Sequence, residues 1–69
     1  MKLSARNQLT GTVEVIDHGA VTTTVKIRLQ GGDLITSSVT KEAAEDLQLK
    51  VGSSVIAVIK SSDVIVAVS

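Results

Sequence analysis

The chain has 69 residues, with seven Lys+Arg against seven Asp+Glu, so its formal net charge is zero. It has no Cys, Pro, Trp, Tyr or Phe, yet 43% of it is hydrophobic. This fits one small domain over residues 1–69 and excludes disulfides, thiolate metal sites and cysteine nucleophiles; the missing aromatics and missing basic surplus oppose nucleic-acid binding.

In chain order, residues 1–7 hold no apolar signal segment, and no apolar run nears the roughly 18 residues of a membrane span. A cytoplasmic protein without a membrane anchor is expected. Residues 9–16 alternate, with Leu9, Gly11, Val13 and Val15 on one side and Thr10, Thr12 and Glu14 on the other, which predicts strand one. Asp17-His18-Gly19 signals a turn. Residues 21–29 alternate more cleanly, with Val21, Thr23, Val25, Ile27 and Leu29 on the inner face of strand two. Gln30-Gly31-Gly32-Asp33 reads as a short hairpin turn, with glycine supplying positive φ. Residues 34–39 form strand three. Residues 40–47 are the single helical candidate, with Thr40 as N-cap accepting from the amide of Glu42 or Ala43. After a turn at Val51-Gly52-Ser53, residues 55–59 and 64–68 read as strands four and five, joined across Lys60-Ser61-Ser62-Asp63.

The order of three strands, a helix and two strands is that of an all-β, five-stranded OB-fold-like barrel with one short helix between strands three and four. An SH3-like barrel is the runner-up. The last two strands are apolar on both faces, which requires cover on both sides. A core of Val, Ile, Leu and Ala in so short a chain rarely supplies more than about 3–5 kcal/mol. Both observations predict an oligomer.

Chemistry is sparse. His18 is the only histidine and stands in a turn. Glu42, Glu45 and Asp46 read as the solvated face of the helix. No acid pair, triad or phosphate loop is present, so no catalytic residue and no cation site are assigned. Ser and Thr number 15, however, and three segments combine donors with positive charge. Ser4-Ala5-Arg6-Asn7 carries a hydroxyl, a guanidinium and an amide; Lys60-Ser61-Ser62 carries an ammonium and two hydroxyls; Thr40 opens the helix. Such a set suits an oxyanion and not a cation, which wants carboxylate, imidazole or thiolate. Each residue also has a plain reading, with Arg6 as a surface residue, Lys60 as an edge-strand charge and Thr40 as a cap alone.

Ser4-Ala5-Arg6-Asn7-Gln8-Leu9, Gly11-Thr12-Val13, the Gly31-Gly32 turn, Ile35-Thr36-Ser37 and Val58-Ile59-Lys60-Ser61 together resemble the molbindin (Mop) family of small molybdate-binding proteins with a TOBE-type domain. The likeness covers essentially the whole chain. It extends to the paired domains of molybdate-responsive regulators and to the C-terminal domain of molybdate transporter ATPases. The resemblance implies an OB-like fold, a homohexamer built as a trimer of dimers, and molybdate or tungstate held between subunits without any cofactor. It implies that Ser4, Arg6, Lys60 and Ser61 come from one chain, and Thr40 with the helix-start amides near Ala43 from its neighbour. Some relatives carry Ser where this chain has Ala43, so here the backbone amide alone would serve. A second class of site on a symmetry axis would draw on the amides of His18, Gly19, Ala20 and Val21.

These residues suit a tetrahedral dianion that has acceptors only. Arg6 and Lys60 supply charge, hydroxyls and amides supply neutral donors, and Ala5 and Ala43 keep the cavity wide enough to disfavour smaller sulfate. Monohydrogen phosphate would leave its proton unmatched in a site made of donors. The expected function is therefore molybdate or tungstate storage, buffering or homeostasis. The competing expectation is a small β-barrel that assembles with protein partners and takes no oxyanion.

Overall fold

The computed structural model describes residues 2–69, and its spine is strand β1 (Asn7–His18). β1 pairs antiparallel with β2 (Thr22–Leu29) on one side and with β4 (Ser54–Ile59) on the other, and β2 pairs with β3 (Leu34–Thr40). The sheet order is β3-β2-β1-β4. One short helix, α1 (Lys41–Asp46), lies between β3 and β4.

Gly11 is where β1 meets both neighbours, since it is the partner of Leu29 in β2 and of Val55 in β4. A Cβ there would stand 2.6 Å from Ile27 Cγ2 and 2.7 Å from the Arg28 carbonyl oxygen. Only glycine admits so close an approach. Val13, Val25 and Ile27 form the buried cluster at this crossing, and Ile16, Ile35, Val39, Val55 and Ala57 pack against it. Residues from both outer strands reach one cluster, so the sheet is curled.

Strand one differs from its expected pattern at one point. Val13 faces Ile27, but Val15 faces Lys26, so a β-bulge lies between Val13 and Val15. One inserted residue reverses the alternation beyond it. Ile16 therefore packs against the core in place of Val15, which stays exposed. The bulge is tied down from outside, with Arg28 Nε and Nη2 donating to Glu14 Oε2 at 3.1 and 2.6 Å and Nη1 donating to the Gly32 carbonyl at 2.8 Å.

The helix starts as its sequence predicts. Thr40 is extended, with φ −67° and ψ 152°, and its hydroxyl oxygen accepts from the Ala43 amide at 3.0 Å. Ala44 is the residue that α1 buries, against β2 and β3. Helix and strands together bury four hydrophobic residues among those described, Val13, Val25, Ile27 and Ala44. That is a small core, as the chain length and the absent aromatics predict.

The fifth strand is not formed. Lys60 leads into a 3-10 turn at Ser61–Asp63, closed by the Asp63 amide donating to the Lys60 carbonyl at 2.9 Å. Residues 64–68 then run on without pairing to any strand. Their apolar composition favours a strand, but a strand needs a partner edge, and this chain does not bring one to them. β4 itself points Val55, Ala57 and Ile59 inward and leaves Ile56 and Val58 exposed. Between β3 and β4 the curled sheet stays open as an apolar cleft of about 300 Å³, lined by residues that include Ile35, Val39, Leu49, Val55 and Ala57.

Candidate functional site

The register of the sheet divides the expected binding residues into two groups. Asn7 is the Cα partner of Ile59, so β1 begins where β4 ends. Ser4, Ala5 and Arg6 precede that pair, and Lys60 and Ser61 follow it. All five meet at one corner of the sheet, and all but the half-buried Ala5 are exposed. The Asn7 side chain fixes the corner, its Nδ2 donating to the Ile59 carbonyl at 3.2 Å. The signal of this positioning role in the sequence is the place of Asn7 beside Arg6 in the four-residue opening motif.

Thr40 and Ala43 stand elsewhere. Thr40 pairs with Thr22, at the end of β2 that adjoins His18 of β1. From Asn7 to His18 the strand runs 12 residues, a contour of about 35–40 Å at roughly 3.3 Å per residue. Thr40 thus sits by the opposite end of β1 from Arg6 and Lys60. Asp17 and His18, expected in a turn, pair with Thr24 and Thr23 as the end of β1, so the turn is shorter and covers Gly19–Val21. It lies at the same end, and Ala20, Val21 and Thr40 line one open surface concavity with Lys41, Glu42 and Glu45.

Donor inventory sharpens this picture. The Ala43 amide is engaged by Thr40, and the Lys41 amide donates to the Val21 carbonyl at 2.9 Å. Because the Thr40 oxygen is the acceptor of its cap bond, its hydroxyl proton remains free to donate outward. In the turn, the Gly19 amide donates to the Thr22 carbonyl at 2.9 Å. At the far corner the side chains of Arg6 and Lys60 form no ion pair, since the salt bridge found among the described residues is that of Arg28 with Glu14. Lys60, the N-cap of the 3-10 turn, makes no side-chain capping bond to it. Among the described residues, the corner therefore holds two cations and two hydroxyls that donate to no protein acceptor, the electrostatic complement of a small anion. Among the described residues no three of His, Cys, Asp and Glu come together as metal ligands. No helix is long and apolar enough to cross a membrane.

Comparison with known proteins is consistent along the chain. The TOBE domain profile matches residues 3–66. Molybdenum-pterin-binding protein 3 of Clostridium pasteurianum is 46% identical over 66 residues, spanning 96% of this chain and 97% of that protein. A probable molybdenum-pterin-binding protein of Haemophilus influenzae is 44% identical over 68 residues, spanning 99% of each. Among solved structures, MopII of Clostridium pasteurianum superposes with a TM-score of 0.92 at 40% identity, over 97% of this chain and 100% of that one. The cytoplasmic molybdate-binding protein ModG, solved with molybdate bound, gives 0.91 at 60% identity over 94% of this chain, which spans 46% of ModG. The names of these relatives describe binding and not catalysis.

Proposed function

The chain belongs to the TOBE-domain family and to its Mop-type members, and from that premise we propose that it binds molybdate reversibly between subunits. Tungstate, of nearly the same size and charge, is accepted by the same site. One subunit contributes Ser4, Arg6, Lys60 and Ser61 from its charged corner, with Ala5 beside them. A neighbour contributes the Thr40 hydroxyl, with Ala43 leaving room next to it. The subunits assemble as a homohexamer, a trimer of dimers, and the protein acts in the cytoplasm as a store or buffer of the anion. His18 at the end of β1, with Gly19, Ala20 and Val21 of the turn after it, is the candidate for a second class of site; with the Gly19 amide already engaged, Ala20 and Val21 are its better donors.

The observation that supports this reading most is the separation of the two donor groups along β1. No single copy brings Thr40 to Arg6, so a site that uses both is an intersubunit site. Binding by hydroxyls, amides and cations makes no bond to the metal atom, so the anion is released intact. Isothermal titration with molybdate, tungstate, sulfate and phosphate tests the proposal. We expect heat with the first two and at least 100-fold weaker binding of the others. No heat with molybdate, or equal affinity for sulfate, overturns it and favours the interaction-module reading, to which the exposed Ile56 and Val58 of β4 would then belong.

A further inference from the structure

Two consecutive amide side chains at the start of β1 reach the two arms of the charged corner. Asn7 Nδ2 donates to the carbonyl of Ile59, the residue before Lys60 and Ser61, at 3.2 Å. Gln8 Nε2 donates to the carbonyl of Ala5, between Ser4 and Arg6, at 3.4 Å. Neither side chain is among the donors assigned to the anion. We propose, on the premise that this corner binds an oxyanion, that Asn7 and Gln8 are its positioning residues. Each holds one arm, so that the donors stand in place before the anion arrives.

Both arms need such a hold. Ser4, Arg6, Lys60 and Ser61 are exposed, and the pairing of β1 with β4 stops at Asn7 and Ile59. A donor on a loose segment loses conformational freedom when it closes on a ligand, whereas a donor fixed beforehand does not. Successive side chains of a strand leave on opposite faces. Asn7 is accordingly half-buried and Gln8 exposed, and two neighbours in sequence serve different arms. An amide suits this task, because it donates to a carbonyl without carrying a charge of its own. A carboxylate in its place would offer no proton and would repel the anion.

The competing reading is that Asn7 only secures the end of the sheet. The register opposes it, since residues 7–12 of β1 already pair one by one with residues 54–59 of β4. One more bond at the last pair adds little to that alignment. It does fix the direction in which the chain leaves Ile59 for Lys60. The Gln8 bond is longer, exposed and local, bridging three residues, so its effect is the smaller of the two.

Calorimetric titration of the full chain with sodium molybdate tests the pair, with circular dichroism and light scattering of each variant in the absence of anion. Asn7→Ala should weaken binding about 2–12-fold, the range of one neutral hydrogen bond, and Gln8→Ala by less. Asn7→Leu, which keeps the bulk and removes the donor, should match Asn7→Ala. Double-mutant cycles separate the arms. Asn7→Ala combined with Ser61→Ala should weaken binding by less than the product of the two single effects, whereas with Ser4→Ala the effects should multiply. Gln8→Ala should show the reverse. Effects that multiply in all four combinations, or unchanged affinity in Asn7→Leu and Gln8→Ala, overturn the proposal while leaving the site reading intact. Loss of the anion-free fold in both Asn7 variants makes Asn7 a structural residue and overturns its half, with the exposed Gln8 deciding the other. No heat from the unaltered chain overturns the site reading and this inference with it.

Discussion

Strand β2 and the tail at residues 64–68 are built from the same kind of residue and meet opposite fates. Val25 of β2 is 2% exposed, whereas Val66 is 85% exposed. Both segments are rich in β-branched residues, five of eight in β2 and four of five in the tail, and both favour extended backbone. The tail is the more apolar of the two, so its exposure is set by its neighbours. β2 lies between β1 and β3, with hydrogen bonds on both edges and a curled sheet over its inner face. The tail has an edge on neither side. Apolar content marks a segment for burial, while topology decides whether the partner belongs to the same chain.

The comparison can be broken most directly at its buried side. Ile27→Ala should cost about 2–5 kcal/mol of stability in urea unfolding, because Ile27 packs with Val13 and Val25 in the buried cluster. Val66→Ala should cost at most about 0.5 kcal/mol, because Val66 is 85% exposed. Equal costs would mean that Val66 is buried in the assembled protein and would merge the two regions into one.

Arg6→Ala offers a change outside both regions. If Arg6 makes a charged hydrogen bond to the anion, its loss should weaken molybdate binding by roughly 1.5–3 kcal/mol per site, about 10–150-fold, with unfolding in the absence of anion unaltered. Unchanged affinity in calorimetry would remove Arg6 from the site.

Smaller effects refine the description of β2. The Thr23 hydroxyl is fully buried and has no hydrogen-bond partner. Thr23→Val keeps the shape and removes the stranded polar group, so it should stabilise by about 1 kcal/mol. For a domain of this size that corresponds to roughly 4–8 °C in Tm. A fall in Tm would show that the hydroxyl is satisfied in the assembled protein. On the outer face, the Glu14–Arg28 pair is about half exposed. Glu14→Gln should therefore cost at most about 0.5 kcal/mol, and the loss should vanish in high salt.

Much of this molecule was legible in the sequence, and the exceptions have physical causes. The alternation of Thr23, Val25 and Ile27 and the cap at Thr40 are local patterns, and both stand as read. The bulge at Glu14 was hidden because Val15 and Ile16 are both apolar, so either could serve the inner face. Only the cross-strand register with Lys26 and Val25 decides between them. The fifth strand failed for a different reason, since residues 64–68 carry a strand pattern but no partner edge. Ser4, Arg6, Lys60 and Thr40 were visible as donors. Their division between opposite ends of β1 was not, because it follows from strand pairing and not from spacing along the chain.

The 3-10 turn at Ser61–Asp63 joins two stretches with different demands. Lys60 and Ser61 stand on its near side at the charged corner, and Val64 opens the apolar segment on its far side. A residue inserted beside Ser62 would therefore disturb a polar site and an apolar surface at once, so this linker tolerates length changes less than an ordinary exposed loop does.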